Sequence, residues 1–238
     1  MDYRKHTRMT VPVTAPRPAP PDSWAELRIR FWRYLPLKVV GISGFMWIFF
    51  LGYFHTLRHP VYPVFEMPTT ALDALVPFQP QALTAYVSLW LYVGVAPGLL
   101  LRLRELIAYG LWAAAMCGCG LLIFYLWPTA VPPPDVNLAS YPGFALLQGV
   151  DAAGNACPSL HVAAAVFSAL WVERLMRTVG APAPLRLLNL VWMLAIAWST
   201  VAIRQHVVLD AAAGAALGAL FAGLSIWLNP WLGRARAE

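Results

Sequence analysis

Between Ser199 and Asp210 the chain places a hydroxyl, a guanidinium, an imidazole and a carboxylate, on Ser199, Arg204, His206 and Asp210, within otherwise apolar sequence. Such groups are costly in hydrocarbon and persist there when they face a protein interior or a water-filled cavity, so the cluster is a candidate site. His206 and Asp210 are four apart. If a helix begins near His206 they share a face, and the carboxylate accepts the ring Nδ1–H, leaving Nε2 free as base, nucleophile or ligand. A second imidazole comes from the stretch Cys157-Pro158-Ser159-Leu160-His161. Proline near a helix start, followed by Ser159 and free backbone N–H groups, makes an anion-binding terminus, with His161 still in the first turn.

Two imidazoles, one oriented by an acid, beside a helix N-terminus and a guanidinium suit an anion, most naturally a phosphate. In that arrangement His206 attacks phosphorus and forms a phosphohistidine. His161 protonates the departing oxygen and then deprotonates the acceptor, while Asp210 steadies the imidazolium. Arg204, Ser159 and backbone N–H groups stabilise the phosphoryl oxygens. His161, His206 and Asp210 are also acceptable zinc ligand types. Against zinc, there is no HExxH-type pair and the nearby arginine repels a cation, so neither metal nor cofactor is expected. An alternative of another class, a proton-coupled lipid transporter or flippase, would use His and Asp as a relay. It calls for inverted-repeat symmetry or midplane charges, whereas these polar groups cluster at one membrane face.

The surroundings define the class. With 60% hydrophobic and 12% charged residues among 238 and a mean hydropathy of +0.61, the chain reads as a polytopic membrane protein. Apolar runs near bilayer length cover residues 39–57, 82–101, 106–127, 159–172, 187–203 and 207–228. The predicted fold is all-α, with six transmembrane helices in one membrane domain, residues 39–232, and short amphipathic surface helices. Residues 1–38 form a basic, proline-rich leader and an amphipathic surface helix from Trp24, and residues 233–238 a tail. The first run is expected to be a retained anchor. Thr69 or Thr70 can cap a short helix through Leu75. Cys117 and Cys119, two apart on a helix, do not face one another and read as buried thiols. Gly214 and Gly218, four apart, form a close-packing face.

Charge sets the orientation. Fifteen of the 17 Lys and Arg fall in the leader, the tail and the two connections on the same side, at Arg102 and Arg104 and at Arg174, Arg177 and Arg186. Only Arg58 and Arg204 belong to the other side, so the termini are predicted to be cytoplasmic and the polar cluster outside, which in a bacterial inner membrane means periplasmic. The net charge of +6 follows from this topology and from anionic headgroups, and no nucleic acid partner is implied. Homodimer formation is left open.

Pro158-Ser159-Leu160-His161, together with Ser199, His206 seven positions on and Asp210 four further, resembles the second and third signature motifs of the type 2 phosphatidic acid phosphatase superfamily. The Pro-Ser-Leu-His form and the Gln-His before the acid are similar to the branch containing inositol phosphorylceramide synthases and their bacterial relatives. The resemblance covers about the last two thirds of the chain. It implies a six-helix bundle, a metal-independent phosphohistidine mechanism, and a lipid phosphate or phospholipid substrate handled at the outer leaflet by hydrolysis or by headgroup transfer to an alcohol. Two features depart from it. The first motif, a lysine followed by an arginine-proline pair, has no counterpart, and Pro132-Pro133-Pro134 stands there. The arginine after the motif-three serine is Thr200 here. Arg204, four residues on and so on the same helical face, is the expected replacement phosphate ligand, with Arg58 covering part of the missing first motif.

Overall fold

Long apolar stretches organise the molecule into helices, since backbone groups in hydrocarbon must be satisfied within the segment. The computed structural model describes residues 23–141, 143–144 and 154–229; the proline-rich leader, the tail and Asp151 lie outside them. In chain order come α1 (Ser23–Trp32), α2 (Leu35–Arg58), β1 (Phe65–Glu66), α3 (Ala71–Ala74), a 3-10 turn (Pro80–Ala82), α4 (Leu83–Val87) and α5 (Leu89–Gly98). They are followed by α6 (Leu103–Leu126), β2 (Thr129–Ala130), a second 3-10 turn (Leu138–Ser140), α7 (Leu160–Thr178), α8 (Ala183–Ala202) and α9 (Val208–Leu228). Among the described residues, α2, α6, α8 and α9 are long and apolar enough to cross a membrane.

The other two predicted spans take different forms. Residues 82–101 are interrupted at Ser88, whose Oγ bonds back to the Ala85 carbonyl at 2.6 Å, a local bond that competes with the helix ladder. Pro97 closes the last turn of α5. From Leu83 to Gly98 the rise is about 24 Å, short of the roughly 30 Å hydrocarbon core. The run at 159–172 extends to Thr178 as α7, which ends in charged residues and packs against α5, α6, α8 and α9. Its inward residues, among them Ala163, Phe167 and Trp171, are buried, so its apolarity serves protein packing as well as lipid.

α7 and α9 cross backbone against backbone. A Cβ added to Gly214 would lie 2.2 Å from the Ser159 carbonyl oxygen, and one added to Gly218 would lie 2.3 Å from that of Ala163. The small-residue face read from the sequence therefore lets two backbones touch. Polar bonds fix neighbouring contacts: Trp171 Nε1 to Ser225 Oγ at 3.0 Å, Tyr92 Oη to Asn189 Oδ1 at 2.6 Å, and Trp192 Nε1 to Ser88 Oγ at 2.9 Å. The helix predicted from Trp24 is present, but it is not purely a surface element. Leu27 packs on the core, and Arg30 is buried with its Nε on Glu26 at 3.0 Å and Nη1 on the Leu99 carbonyl at 3.5 Å.

Over the histidine-bearing ends of the helices sits a cap. β1 pairs in parallel with β2, Phe65 opposite Thr129; this short sheet was not expected from a wholly helical reading. Thr129 binds the segment entering α7, its carbonyl accepting from Ala156 at 3.3 Å and its hydroxyl from Cys157 at 2.8 Å. Thr70 caps α3 as predicted, and its N–H and hydroxyl both donate to Asp73 Oδ2 at 2.7 Å.

Candidate active site

Ser159 is the N-cap of α7; its Oγ accepts the Val162 N–H at 3.3 Å and its own N–H donates to the Asp210 carbonyl at 3.0 Å. The two bonds join the start of α7 to the start of α9, which is where the glycine crossing brings them. His161, one residue into α7, is half-buried and points into a cavity of about 920 Å³ that His206 also lines. His161 Nε2 lies 3.0 Å from the Tyr86 carbonyl. A carbonyl oxygen only accepts, so Nε2 carries a proton and Nδ1 is the nitrogen left for a substrate. The ring is stacked on Tyr86, centroids 3.8 Å apart and 11° from parallel, with Trp90 edge-on at 6.3 Å.

His206 sits just before α9, not within it. Val207 is the N-cap and Asp210 the N3 residue, whose Oδ2 accepts the Val207 N–H at 3.0 Å. The two side chains predicted to pair from i,i+4 spacing are brought side by side, through cap geometry and not a shared helical face, without closing the predicted hydrogen bond. His206 Nδ1 stands 3.5 Å from Asp210 Oδ2, longer than a hydrogen bond, and both Nδ1 and Asp210 Oδ1 are buried with no hydrogen-bond partner. Asp210 Oδ2 keeps the Val207 bond, and a small movement of the His206 ring is enough to bring Nδ1 within hydrogen-bond range of the carboxylate. Catalytic hydrogen bonds are commonly long without substrate and tighten with it. The Cys157 thiol lies beside the same carboxylate; burial, and then the Asp210 charge, push it up to about 11. It stays a thiol at neutral pH.

The predicted phosphate ligands are not gathered in the same way. α8 ends at Ala202, so Arg204 does not continue the helical face of Thr200. It occupies the left-handed position after the helix, φ 61°, with its N–H on the Val201 carbonyl and the Gln205 N–H on the Thr200 carbonyl, both at 3.0 Å. This is a Schellman closure, in which the left-handed place usually falls to glycine. The guanidinium turns to the Val76 carbonyl at 3.0 Å. Ser199 is fully buried and donates to the Ile196 carbonyl at 2.7 Å, and Ser159 is equally buried in its cap. Arg58, exposed at the end of α2, lies over the Phe54 ring at 5.2 Å. Among the described residues the only lysine or arginine on the cavity wall is Lys38, on the first turn of α2.

Three contributors had no mark in the sequence reading. Tyr86 orients His161. Asn155, with φ 53° and on the cavity wall, donates to the Tyr53 carbonyl at 3.0 Å and to Thr56 Oγ1 at 3.1 Å, fastening α2 to the site. Asp73 reaches from the cap to accept the Val208 N–H at 2.7 Å. Burial works against its charge, but the Thr70 and Val208 bonds outweigh it and hold the carboxyl below its ordinary 3.8.

A family model described as the PAP2 superfamily matches residues 78–224, well over half of the chain. The chain belongs to the PAP2 superfamily. The matched span runs from Phe78 in the cap to residue 224 within α9, so it holds both histidines, Asp210 and Tyr86, while α2, with Arg58 and Lys38, lies before it. PAP2 membership suggests a phosphatase or phosphotransferase, in keeping with the phosphate chemistry read from the two stretches. No curated protein and no solved structure matches the chain.

Proposed function

We propose that this PAP2 protein is an integral-membrane lipid phosphate phosphatase or phosphotransferase that works at the outer face through a phosphohistidine. What carries the reading is the placement of His161, from the start of α7, and His206, from the α8–α9 connection, on the wall of one apolar cavity, with His161 Nε2 on the Tyr86 carbonyl and His206 Nδ1 beside Asp210. His206 Nε2 attacks phosphorus while its Nδ1–H closes on Asp210, which holds the tautomer and then the imidazolium. The P–N bond forms as the bond to the leaving oxygen breaks. His161 keeps Nε2–H on the Tyr86 carbonyl, takes up a proton at Nδ1 as the anionic headgroup binds, and gives that proton to the leaving oxygen. The neutral Nδ1 then takes a proton from water or an alcohol, whose oxygen attacks phosphorus and releases His206. All six apolar runs are proposed to span, with cytoplasmic termini and the site on the periplasmic side of a bacterial inner membrane.

Transfer to an alcohol, the reaction of the inositol phosphorylceramide synthase type, is favoured by one observation. No lysine or arginine among the described residues lines the cavity at the histidine end, so a free phosphate dianion is held less firmly than a diester headgroup. The test is to incubate detergent-purified protein with lipid phosphates and phospholipids, with and without alcohols and a chelator, and to identify products by mass spectrometry. Release or transfer of the phosphoryl group, insensitive to chelator, is the predicted result. Chelator-sensitive turnover, or flux of lipid without chemical change, would contradict it.

A further inference from the structure

The cavity is much deeper than a phosphate needs. It begins at Tyr86, Asn155 and the histidines and runs between α2, α5, α6 and α7 to Lys38. Along α2, from Tyr53 to Lys38, that is about 22 Å, and along α4 and α5, from Tyr86 to Gly98, about 18 Å. One leaflet of hydrocarbon is about 15 Å, half of the bilayer core. With its histidine end at the outer membrane surface, as proposed above, a cavity of this length reaches past the midplane. Its walls are apolar, with Phe45 and Phe49 on α2, Trp90 and Val93 on α5, and Ile107 and Met116 on α6. Unfilled volume in a core is destabilising in proportion to its size, and walls of this kind do not hold water.

Both ends of α2 are tied down, and the space lies between the ties. At one end Tyr53 and Thr56 accept from Asn155; at the other the Lys38 ammonium donates to the Arg30 carbonyl at 2.8 Å and the Gly98 carbonyl at 2.6 Å. Neither Arg30 nor Gly98 lines the cavity, so Lys38 offers its methylene stem as a floor and keeps its charge behind it. Two glycines open the wall above that floor. A Cβ at Gly41 or at Gly110 would meet nothing within 4 Å.

We propose that the cavity is a tail channel that holds one hydrocarbon chain of the substrate, head at the histidines and end at Lys38, and that it selects lipids with a chain long enough to cross the midplane. This rests on the lipid phosphate reading above and names the class of lipid. Gly41 and Gly110 are the specificity-determining positions, because side chains there would shorten the channel at two depths.

Alkyl phosphates of increasing length, each with a photoreactive diazirine at the tail end, test this when crosslinked to detergent-purified full-length protein and mapped by peptide mass spectrometry. In the native protein the crosslinks should move from the region of Phe49 and Met116 to that of Phe45 and Gly41 as the chain lengthens. Gly110→Phe should cut the inner crosslinks about tenfold or more, by overfilling the wall, and leave the shortest probe's crosslinks unchanged. Gly41→Phe should remove only the innermost ones, and stands as the second variant should Gly110→Phe fail to fold. Crosslinks on the outward face of α2, at Trp47 and Ile48, or a pattern that neither variant alters, would overturn the channel. The readout does not depend on turnover. Inner crosslinks in a protein that neither releases nor transfers a phosphoryl group would leave the channel standing and refute the enzymatic reading.

Discussion

At the scale of single residues, each imidazole works through a different nitrogen and has a different holder, the Tyr86 carbonyl for His161 and Asp210 for His206. His206→Ala should abolish release or transfer of the phosphoryl group. His161→Ala should cost about 10²- to 10⁴-fold, the usual share of a general acid, and less with a substrate whose leaving group needs no proton. Asp73 acts at one remove, through the Val208 N–H next to the His206–Asp210 turn. Asp73→Ala leaves buried donors unpaired and should lower stability by about 1–3 kcal/mol. As a positioning residue it should lower kcat more than it raises KM, with partial rescue by Asn, which can still accept the Val208 bond. The sign of its pH effect follows from its depressed pKa. The contribution is complete above the unfolded value of 3.8 and is lost as pH falls through the lower folded value. Acid titration of thermal stability should show the native protein losing ground on Asp73→Ala only below about pH 4.

At the scale of elements, the start of α7 and the start of α9 meet because Gly214 and Gly218 let the backbones touch. Gly214→Ala puts a methyl against the Ser159 carbonyl and should destabilise the protein by about 1–3 kcal/mol or more, with loss of turnover as the histidines separate. Gly223→Ala, where a Cβ meets nothing within 4 Å, should be neutral or stabilising by up to about 1 kcal/mol. Thermal melts and turnover of the pair check this. Much of this was legible in sequence. Ionisable residues in apolar runs stand out, and small residues four apart announce a crossing. The helix end at Ala202 was not legible, because the left-handed position that closes it holds Arg204 in place of glycine, and the apolar run continues past it. Nor were Tyr86 and Asp73. Their bonds join residues 75 and 135 positions apart, and neither residue differs locally from an ordinary aromatic in a span or an ordinary helix cap.

At the scale of the whole molecule, four helices meet the length and apolarity of a membrane span, while α7 and the broken α4–α5 pair line the interior of the bundle. α5 is as apolar as the first set but short, and α7 is long but less apolar and carries charges in its last turns, so length and composition together mark the first set most clearly. The proposed orientation predicts that a cysteine at Glu66, which is exposed, reacts with an impermeant maleimide from the periplasmic side, whereas one at Ala237 reacts only after the membrane is opened. Reaction of both from the same side would contradict six spans with cytoplasmic termini. If both histidines serve one phosphorus atom, the covalent intermediate can be trapped on one of them by removing the other. His161→Ala, given a lipid phosphate with an aryl leaving group, should form the phosphoenzyme without needing the acid and break it down slowly. An alkaline quench and peptide mapping should then find an acid-labile phosphate on His206. Phosphate on another residue, or continued turnover by His206→Ala with none trapped, would contradict the account.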